Sequence, residues 1–198
     1  MKRLCVFCGS SPGSQPVYLQ AAKELGEALV KQRIGLVYGG ASVGSMGMIA
    51  STVLSGGGDV IGVIPEALVK KEVAFGELKD LRVVKTMHER KSLMNDLSDG
   101  FIAMPGGMGT LEEFFEVLAW GQLGLHKKPV GLLNVANFYA KMLDFLDHSV
   151  EEKFVHPLHR EMLLVHETPT GLLELFESYE AFVVDKATWI KELHAEQK

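Results

Sequence analysis

The residues best suited to chemistry stand in one run, Pro105-Gly106-Gly107-Met108-Gly109-Thr110-Leu111-Glu112-Glu113. Glycines let a backbone approach a bound group closely, and the first N–H groups of a helix have no partners within it. A glycine turn opening a helix therefore receives an anion, with a phosphate as first candidate. Glu112 and Glu113 fall in the first helical turn, within reach of whatever the turn holds. Beside a phosphorylated ligand, a carboxylate can orient or deprotonate water and stabilise a developing positive charge.

Two commoner phosphate motifs fail at definite positions. A P-loop needs Gly-Lys-Ser/Thr, and the chain has no Gly-Lys pair; a dinucleotide fingerprint through Gly107 and Gly109 needs a third glycine where Glu112 stands. Glu113 also has a plainer reading. Thr110-x-x-Glu113 has the spacing of a capping box, with Thr110 capping the helix and Glu113 reaching back to the cap residue's N–H. Local sequence taken alone favours that reading.

Arg90 is the second candidate. Met87, Arg90, Leu93, Met94 and Leu97 share one helix face, so a cation sits in an apolar stripe and near a helix N-terminus, where the macrodipole opposes it. Broken local rules favour ligand contact over the alternative, an arginine snorkelling to a surface carboxylate. By position alone Glu72 and Lys91 read as solvated charges, and Met46, Met48 and Met108 as packing residues. His156-Pro157-Leu158-His159 lacks a third ligand at fixed spacing, and Pro157 argues against a regular helix through both histidines; no metal site is expected. Cys5 and Cys8 have CxxC spacing, but within a strand they face opposite sides and read as core or site-lining residues.

These residues need elements to position them. The apolar run 101–104 reads as a buried strand, and Leu111, Phe114, Phe115 and Leu118 have the spacing of the helix after it. Further strands are expected at 4–8, 34–38, 60–64, 81–84, 129–133 and 163–165. Helices are expected at 16–31, after Gly44, around 87–97, at 138–146, at 170–176 and in a tail from about 186. Alternation of this kind predicts an α/β fold, a Rossmann-like parallel sheet with helices on both faces, in a single domain over 1–198. Ligands bind such sheets outside the carboxyl ends of the strands, and the turns after Cys8, Tyr38 and Met104 all lie at that edge. Ser10 and Gly40, in the first two turns, join the candidate binding set.

The 198 residues are 47% hydrophobic and 23% charged, enough for one substantial core. A net charge of −5 leaves no basic stripe for nucleic acid and no polybasic segment for a membrane surface. The short first strand is no signal-peptide core and no apolar run has membrane-spanning length, so a cytoplasmic protein with a small soluble ligand is expected.

Taken together, the motifs resemble those of the LOG family, the cytokinin riboside 5′-monophosphate phosphoribohydrolases. The family's Pro-Gly-Gly-x-Gly-Thr-x-x-Glu run is complete from Pro105 to Glu113. The likeness extends through Val6-Phe7-Cys8-Gly9-Ser10-Ser11, Tyr38-Gly39-Gly40, Gly44 to Gly47, Met87-His88-x-Arg90-Lys91 and Trp120-x-Gln122-Leu123-Gly124. It implies cleavage of AMP, or of N6-prenylated derivatives, to free base and ribose 5-phosphate, with no cofactor. It further implies Arg90 and Glu113 as the catalytic pair, with Glu72, Arg90, Lys91 and the run Gly107, Met108, Gly109, Thr110, Leu111, Glu112 and Glu113 contacting the nucleotide. It also implies a homodimer with the site near the subunit interface. Gly106, in the same turn, completes the candidate phosphate grip. The chain departs from the family pattern at Ala41 and Ser45 in the second glycine turn, and at Ala119, where plant members carry a ligand-contacting threonine. The competing readings are a non-catalytic nucleotide-binding module and the lysine decarboxylase label often attached to similar proteins. The second needs pyridoxal phosphate on a lysine, and no motif supports one at Lys91 or Lys127-Lys128.

Overall fold

Short runs rich in Val, Ile and Leu, each ending in a turn, form strands β1 (Arg3–Phe7), β2 (Gly35–Tyr38), β3 (Val60–Pro65), β4 (Asp80–Val84), β5 (Phe101–Ala103), β6 (Val130–Leu133) and β7 (Leu163–His166). Between and after them run helices α1 (Pro16–Gln32), α2 (Gly44–Ser55), α3 (Glu66–Val69), α4 (Met87–Asp96), α5 (Met108–Gln122), α6 (Ala140–Glu151), α7 (Pro157–Glu161) and α8 (Pro169–Glu177). The computed structural model describes residues 1–69, 74–182, 184, 189, 191 and 195.

All strand pairs are parallel, in the order β4-β3-β2-β1-β5-β6-β7. The chain winds outward from β1 to β4, then returns to β5 on the other side of β1. The order therefore reverses between β1 and β5, the place where open α/β sheets receive ligands. Phe7 pairs with Ala103 there, and Met104 N–H donates to Phe7 O at 2.9 Å, so the turns after both strands leave the sheet side by side.

The two-residue period of β1 sorts the core. Leu4, Val6 and Cys8 pack with Leu25, Leu29, Ile49, Leu172 and Phe176 on the α1, α2 and α8 side. Cys5 and Phe7 pack with Met94, Phe114, Val117 and Tyr139 on the α4 and α5 side. The two cysteines thus face opposite layers, and both are buried free thiols.

Most expected elements form within a residue or two of their expected bounds. Three differ for identifiable reasons. Residues 135–137 make a 3-10 turn with Ala136 at φ 50°, which delays α6 to Ala140. Pro157 does not prevent a helix; it occupies the first helical position of α7, where its missing N–H costs nothing, and His156 caps the helix by accepting from Leu158 N–H. The segment after β3 starts as the single turn α3. The expected tail helix from about 186 falls largely outside the described residues. Among the described residues no helix is long and apolar enough to cross a membrane.

Candidate active site

The glycine turn after β5 carries the chain into α5 earlier than the capping-box spacing suggests. Gly107, in extended conformation, is the cap residue, and no side chain caps the helix. Thr110 is instead the third helical residue, only 5% exposed, with its Oγ1 packed so closely on Gly106 that a Cβ there would collide with it. The Thr110–Glu113 capping box is therefore not formed. A near relative of it occurs at α4: the cap residue Thr86 accepts through Oγ1 from Glu89 N–H at 3.1 Å, and Glu89 Oε2 accepts from the N–H of Lys85, one residue before the cap, at 2.9 Å. Leu111 N–H is the first to close the α5 ladder, onto Gly107 O at 3.1 Å. The amides of Met108, Gly109 and Thr110 are thus the helix's orphan donors, and they border a cavity of about 340 Å³.

Glu113 lines the same cavity from α5, and Arg90 reaches it from α4. Arg90 Nη2 lies 3.5 Å from Glu113 Oε1, with the side chains 8% and 12% exposed. Arg90 Nη1 points at Met87 Sδ at 3.6 Å, and Nε is buried with no hydrogen-bond partner among the described residues. The guanidinium lies against the Gly39 backbone so tightly that a Cβ at position 39 would overlap Nη2. The end of β2 is thus a glycine platform for Arg90. Gly44, at φ 59°, packs directly on Ser10, pressing the second glycine turn onto the first; a side chain there would meet the Ser10 carbonyl.

Burial first and the Glu113 carboxylate second push both cysteine thiols above their ordinary range, with Arg90 opposing at Cys5. Cys8, which lines the cavity, is accordingly a neutral thiol and not a nucleophile. A second cavity of about 180 Å³ adjoins the first across Gly9 and Gly107, walled by Pro12, Tyr18, Pro105 and Phe138. The Tyr18 and Phe138 rings meet edge to face, 5.8 Å between centroids.

Of the residues singled out by sequence, Ser10, Arg90, Gly107, Met108, Gly109, Thr110 and Glu113 converge on the larger cavity. Gly106 lines the smaller one. Gly40 belongs to neither: at φ +82° it packs against Ile64 and Leu81, and its carbonyl accepts from Phe75 N–H at 2.9 Å, so it shapes the turn. Leu111 packs into the α4–α5 core layer. Lys91 is not a solvated charge; its side chain is 12% exposed and donates to Glu112 Oε1 at 2.6 Å and Glu116 Oε1 at 2.8 Å. Glu72 lies outside the described residues. Cys8, Gly39 and Met46 also line the cavity. Gly39 was readable as the first glycine after a strand, whereas Met46 gave only a packing signal.

Glycine turns at the carboxyl ends of β1, β2 and β5, with a buried Arg–Glu pair beside the first turn of α5, define a Rossmann-like α/β protein with a polar crevice at its topological switch point. A family model described as possible lysine decarboxylase matches residues 46–176. A probable cytokinin riboside 5′-monophosphate phosphoribohydrolase of Oryza sativa subsp. japonica is 50% identical over 95% of this chain and 76% of its own length. A cytokinin riboside 5′-monophosphate phosphoribohydrolase of Arabidopsis thaliana is 47% identical over 95% of this chain and 90% of its own. The chain belongs to this family, the LOG proteins. Among solved structures, the molybdenum cofactor binding protein of Rippkaea orientalis superposes with a TM-score of 0.65 at 24% identity, covering 90% of this chain and 97% of its own. The Chlamydomonas reinhardtii molybdenum cofactor carrier protein does so with 0.65 at 21%, covering 89% and 96%. Both share the fold.

Proposed function

We propose that this chain is a phosphoribohydrolase that cleaves the N-glycosidic bond of AMP, of N6-modified adenosine 5′-monophosphates, or of both, to free base and ribose 5-phosphate. The carrying observation is the Arg90–Glu113 pair, 3.5 Å apart, in the cavity bordered by the first turn of α5. The phosphate docks on the orphan amides of Met108, Gly109 and Thr110, in a cavity that Ser10 also lines. Binding energy from that remote group fixes the ribose close to Glu113.

Glu113 orients the attacking water and takes its proton as the water oxygen bonds to the anomeric carbon. The carbon–nitrogen bond breaks with its electron pair leaving on the base, which acquires a proton from solvent. Positive charge on the sugar in this oxocarbenium-like passage is stabilised by the Glu113 carboxylate. Arg90, whose Nη2 lies 3.5 Å from Glu113 Oε1, lines the same cavity and offers its guanidinium to the ligand.

The site supports less well the decarboxylase chemistry named in the family model's description. Pyridoxal catalysis needs a lysine whose free amine can form a Schiff base. Among the described residues no lysine lines the cavity, and Lys91 is held as an ammonium: burial opposes its charge, but the bonds to Glu112 and Glu116 outweigh it and raise its pKa. Lys127 and Lys128 precede β6, at the other edge of the sheet.

A homodimer is part of the proposal. None of the α6 residues is fully buried although the helix is amphipathic, and Phe145 and Phe154 are 64% and 85% exposed. Phe115 of α5 shares an apolar groove with Leu146 of α6 and Val155, a face suited to a second copy. Ala119 is exposed beside this face, outside the cavity. Two buried free thiols suit a reducing compartment, so the cytoplasm is the proposed location.

The test is base release from AMP, from N6-prenylated AMP and from the two nucleosides. Both monophosphates are expected to outrun their nucleosides by at least about 10²-fold in kcat/KM, the range that precise positioning commands. Equal rates with and without phosphate would remove the α5 amides from the account. The faster monophosphate names the substrate.

A further inference from the structure

The turn after β6 carries two consecutive non-glycine residues in the left-handed region, Ala136 at φ 50° and Asn137 at φ 58°. Such residues persist only where their surroundings fix them. Asn134 does the fixing here. It is 6% exposed, its N–H donates to His166 O on β7 at 2.8 Å, and its Oδ1 accepts from Tyr139 N–H at 2.8 Å. The turn thereby delivers Tyr139, 2% exposed, against the neighbouring strand end, where its hydroxyl donates to Met104 O at 2.6 Å. Met104 is the last residue before Pro105-Gly106-Gly107, and its N–H is already taken up by Phe7 O on β1. The β5–β6 ladder ends one residue earlier, at Ala103 and Leu132, so the Tyr139 phenol supplies the donor that the ladder no longer can. Burial first, and Cys8 second, raise the pKa of that phenol well above its ordinary value, so it stays a protonated donor. Tyr139 lines neither cavity.

Resting on the phosphoribohydrolase reading, we infer that Tyr139 is a positioning residue for the phosphate-binding turn: its hold on the Met104 carbonyl sets where Gly106, Gly107 and the first amides of α5 stand, without a contact to the nucleotide. The turn has little else to fix it. Among the described residues no backbone N–H of 106–110 donates a hydrogen bond, and Gly107 and Gly109 have open space where a Cβ would stand. Open amides are what an anion needs, and they leave the place of the turn to be set from its two ends. At one end α5 is anchored by Phe114, Val117 and Leu118 in the core. At the other stand the two bonds of Met104, to Phe7 and to Tyr139. Glu113, next to Phe114, belongs to the anchored end. Loosening the Met104 end therefore spoils the grip on the phosphate and leaves the carboxylate in place.

The discriminating measurement compares AMP and adenosine turnover in the native protein and in Tyr139→Phe, which removes one hydroxyl and keeps the ring. A residue that positions the phosphate turn acts only through the phosphate, whereas one that merely stabilises the fold lowers Tm and leaves the two substrates in their native ratio. Tyr139→Phe is expected to lower kcat/KM for AMP about tenfold and to weaken AMP binding, measured by calorimetry, about tenfold, with kcat/KM for adenosine changed less than about threefold. Native kcat/KM for AMP in the variant, or an equal fall on both substrates, would overturn the inference. Should the variant not fold, Asn134→Ala, which releases Tyr139 N–H and leaves its hydroxyl in the chain, carries the same comparison with the same expectation. Base release by the unsubstituted protein tests the function itself. Should it release none, calorimetry still decides the role of Tyr139: AMP bound about tenfold more weakly by Tyr139→Phe supports it, and equal affinity, or a native protein that binds no AMP, refutes it.

Discussion

Gly39→Ala is a one-carbon test of whether Arg90 must stand where it does. The added Cβ would meet Arg90 Nη2 inside van der Waals contact and Met46 Sδ at 2.9 Å, whereas ordinary contact begins near 3.4 Å. Relief requires Arg90 to withdraw by about 1 Å, a displacement that costs on the order of 10²-fold when it reaches a catalytic group. Gly39 has no left-handed φ, so alanine meets no backbone strain; the cost is overpacking, roughly 1–3 kcal/mol. For a domain of this size that lowers Tm by roughly 2–12 °C. The assay is base release from AMP at saturating and limiting concentration, beside a thermal melt. A fall of about 10²-fold in kcat/KM in a protein still folded at the assay temperature is expected. Full activity in Gly39→Ala would show that the position of Arg90 does not matter, and the proposed role of the pair would fall with it.

Other expectations follow from the same geometry. His126 in the folded chain is neutral: Nε2–H donates to Val117 O at 2.8 Å and Nδ1 accepts from Lys128 N–H at 3.1 Å. Burial first, with Lys128 adding to it against the Val117 bond, lowers its pKa. The depressed folded pKa means this stability is complete above the unfolded value near 6.5 and is lost as pH falls through the folded one. Urea midpoints should therefore fall between pH 7.5 and 5 in the native protein, and His126→Asn should flatten that fall; an unaltered pH profile in the variant would contradict it. Arg90→Met removes the cation 3.5 Å from Glu113 Oε1 and should abolish measurable base release; retention of more than about a tenth of the native kcat would rule Arg90 out of the chemistry. Phe145→Glu on the exposed apolar face should convert a dimer into folded 21.7 kDa monomers by light scattering, and a native monomer at micromolar concentration would dispose of the dimer.

The sheet was legible because a parallel sheet covered on both faces leaves two strong marks, apolar strand runs and glycine turns at their ends. The convergence of the turns after β1, β2 and β5 followed from that alone. Arg90 was legible as a conflict, a cation in an apolar stripe, and the structure resolves the conflict by placing it 6% exposed over Gly39. Glu113 was obscured by Thr110, because capping spacing is identical whether the helix begins at Thr110 or three residues earlier; only the packing of Gly106 on Thr110 decides. The Lys91 bonds to Glu112 and Glu116 were invisible because those partners lie 21 and 25 residues away on another helix, and no local pattern records such a distance. Gly40 could not be told from Gly39 for the opposite reason: two adjacent glycines look alike in sequence, but one faces Arg90 and the other faces β3 and β4, outside both cavities.

The most direct test of the central claim is Glu113→Gln, assayed for release of free base from AMP and prenylated AMP with nucleotide binding measured by calorimetry on the same samples. Because no capping box involves Glu113 and the amide oxygen can still accept from Arg90, the variant should stay folded at the assay temperature, with Tm lowered by the lost charge pairing, while the proton acceptor is removed. The account predicts nucleotide affinity within a few-fold of native and base release lowered by at least about 10²-fold, the lower end of what a positioned general base contributes. Equal release by the two proteins would contradict it, and binding without release in either would make the chain a nucleotide-binding module.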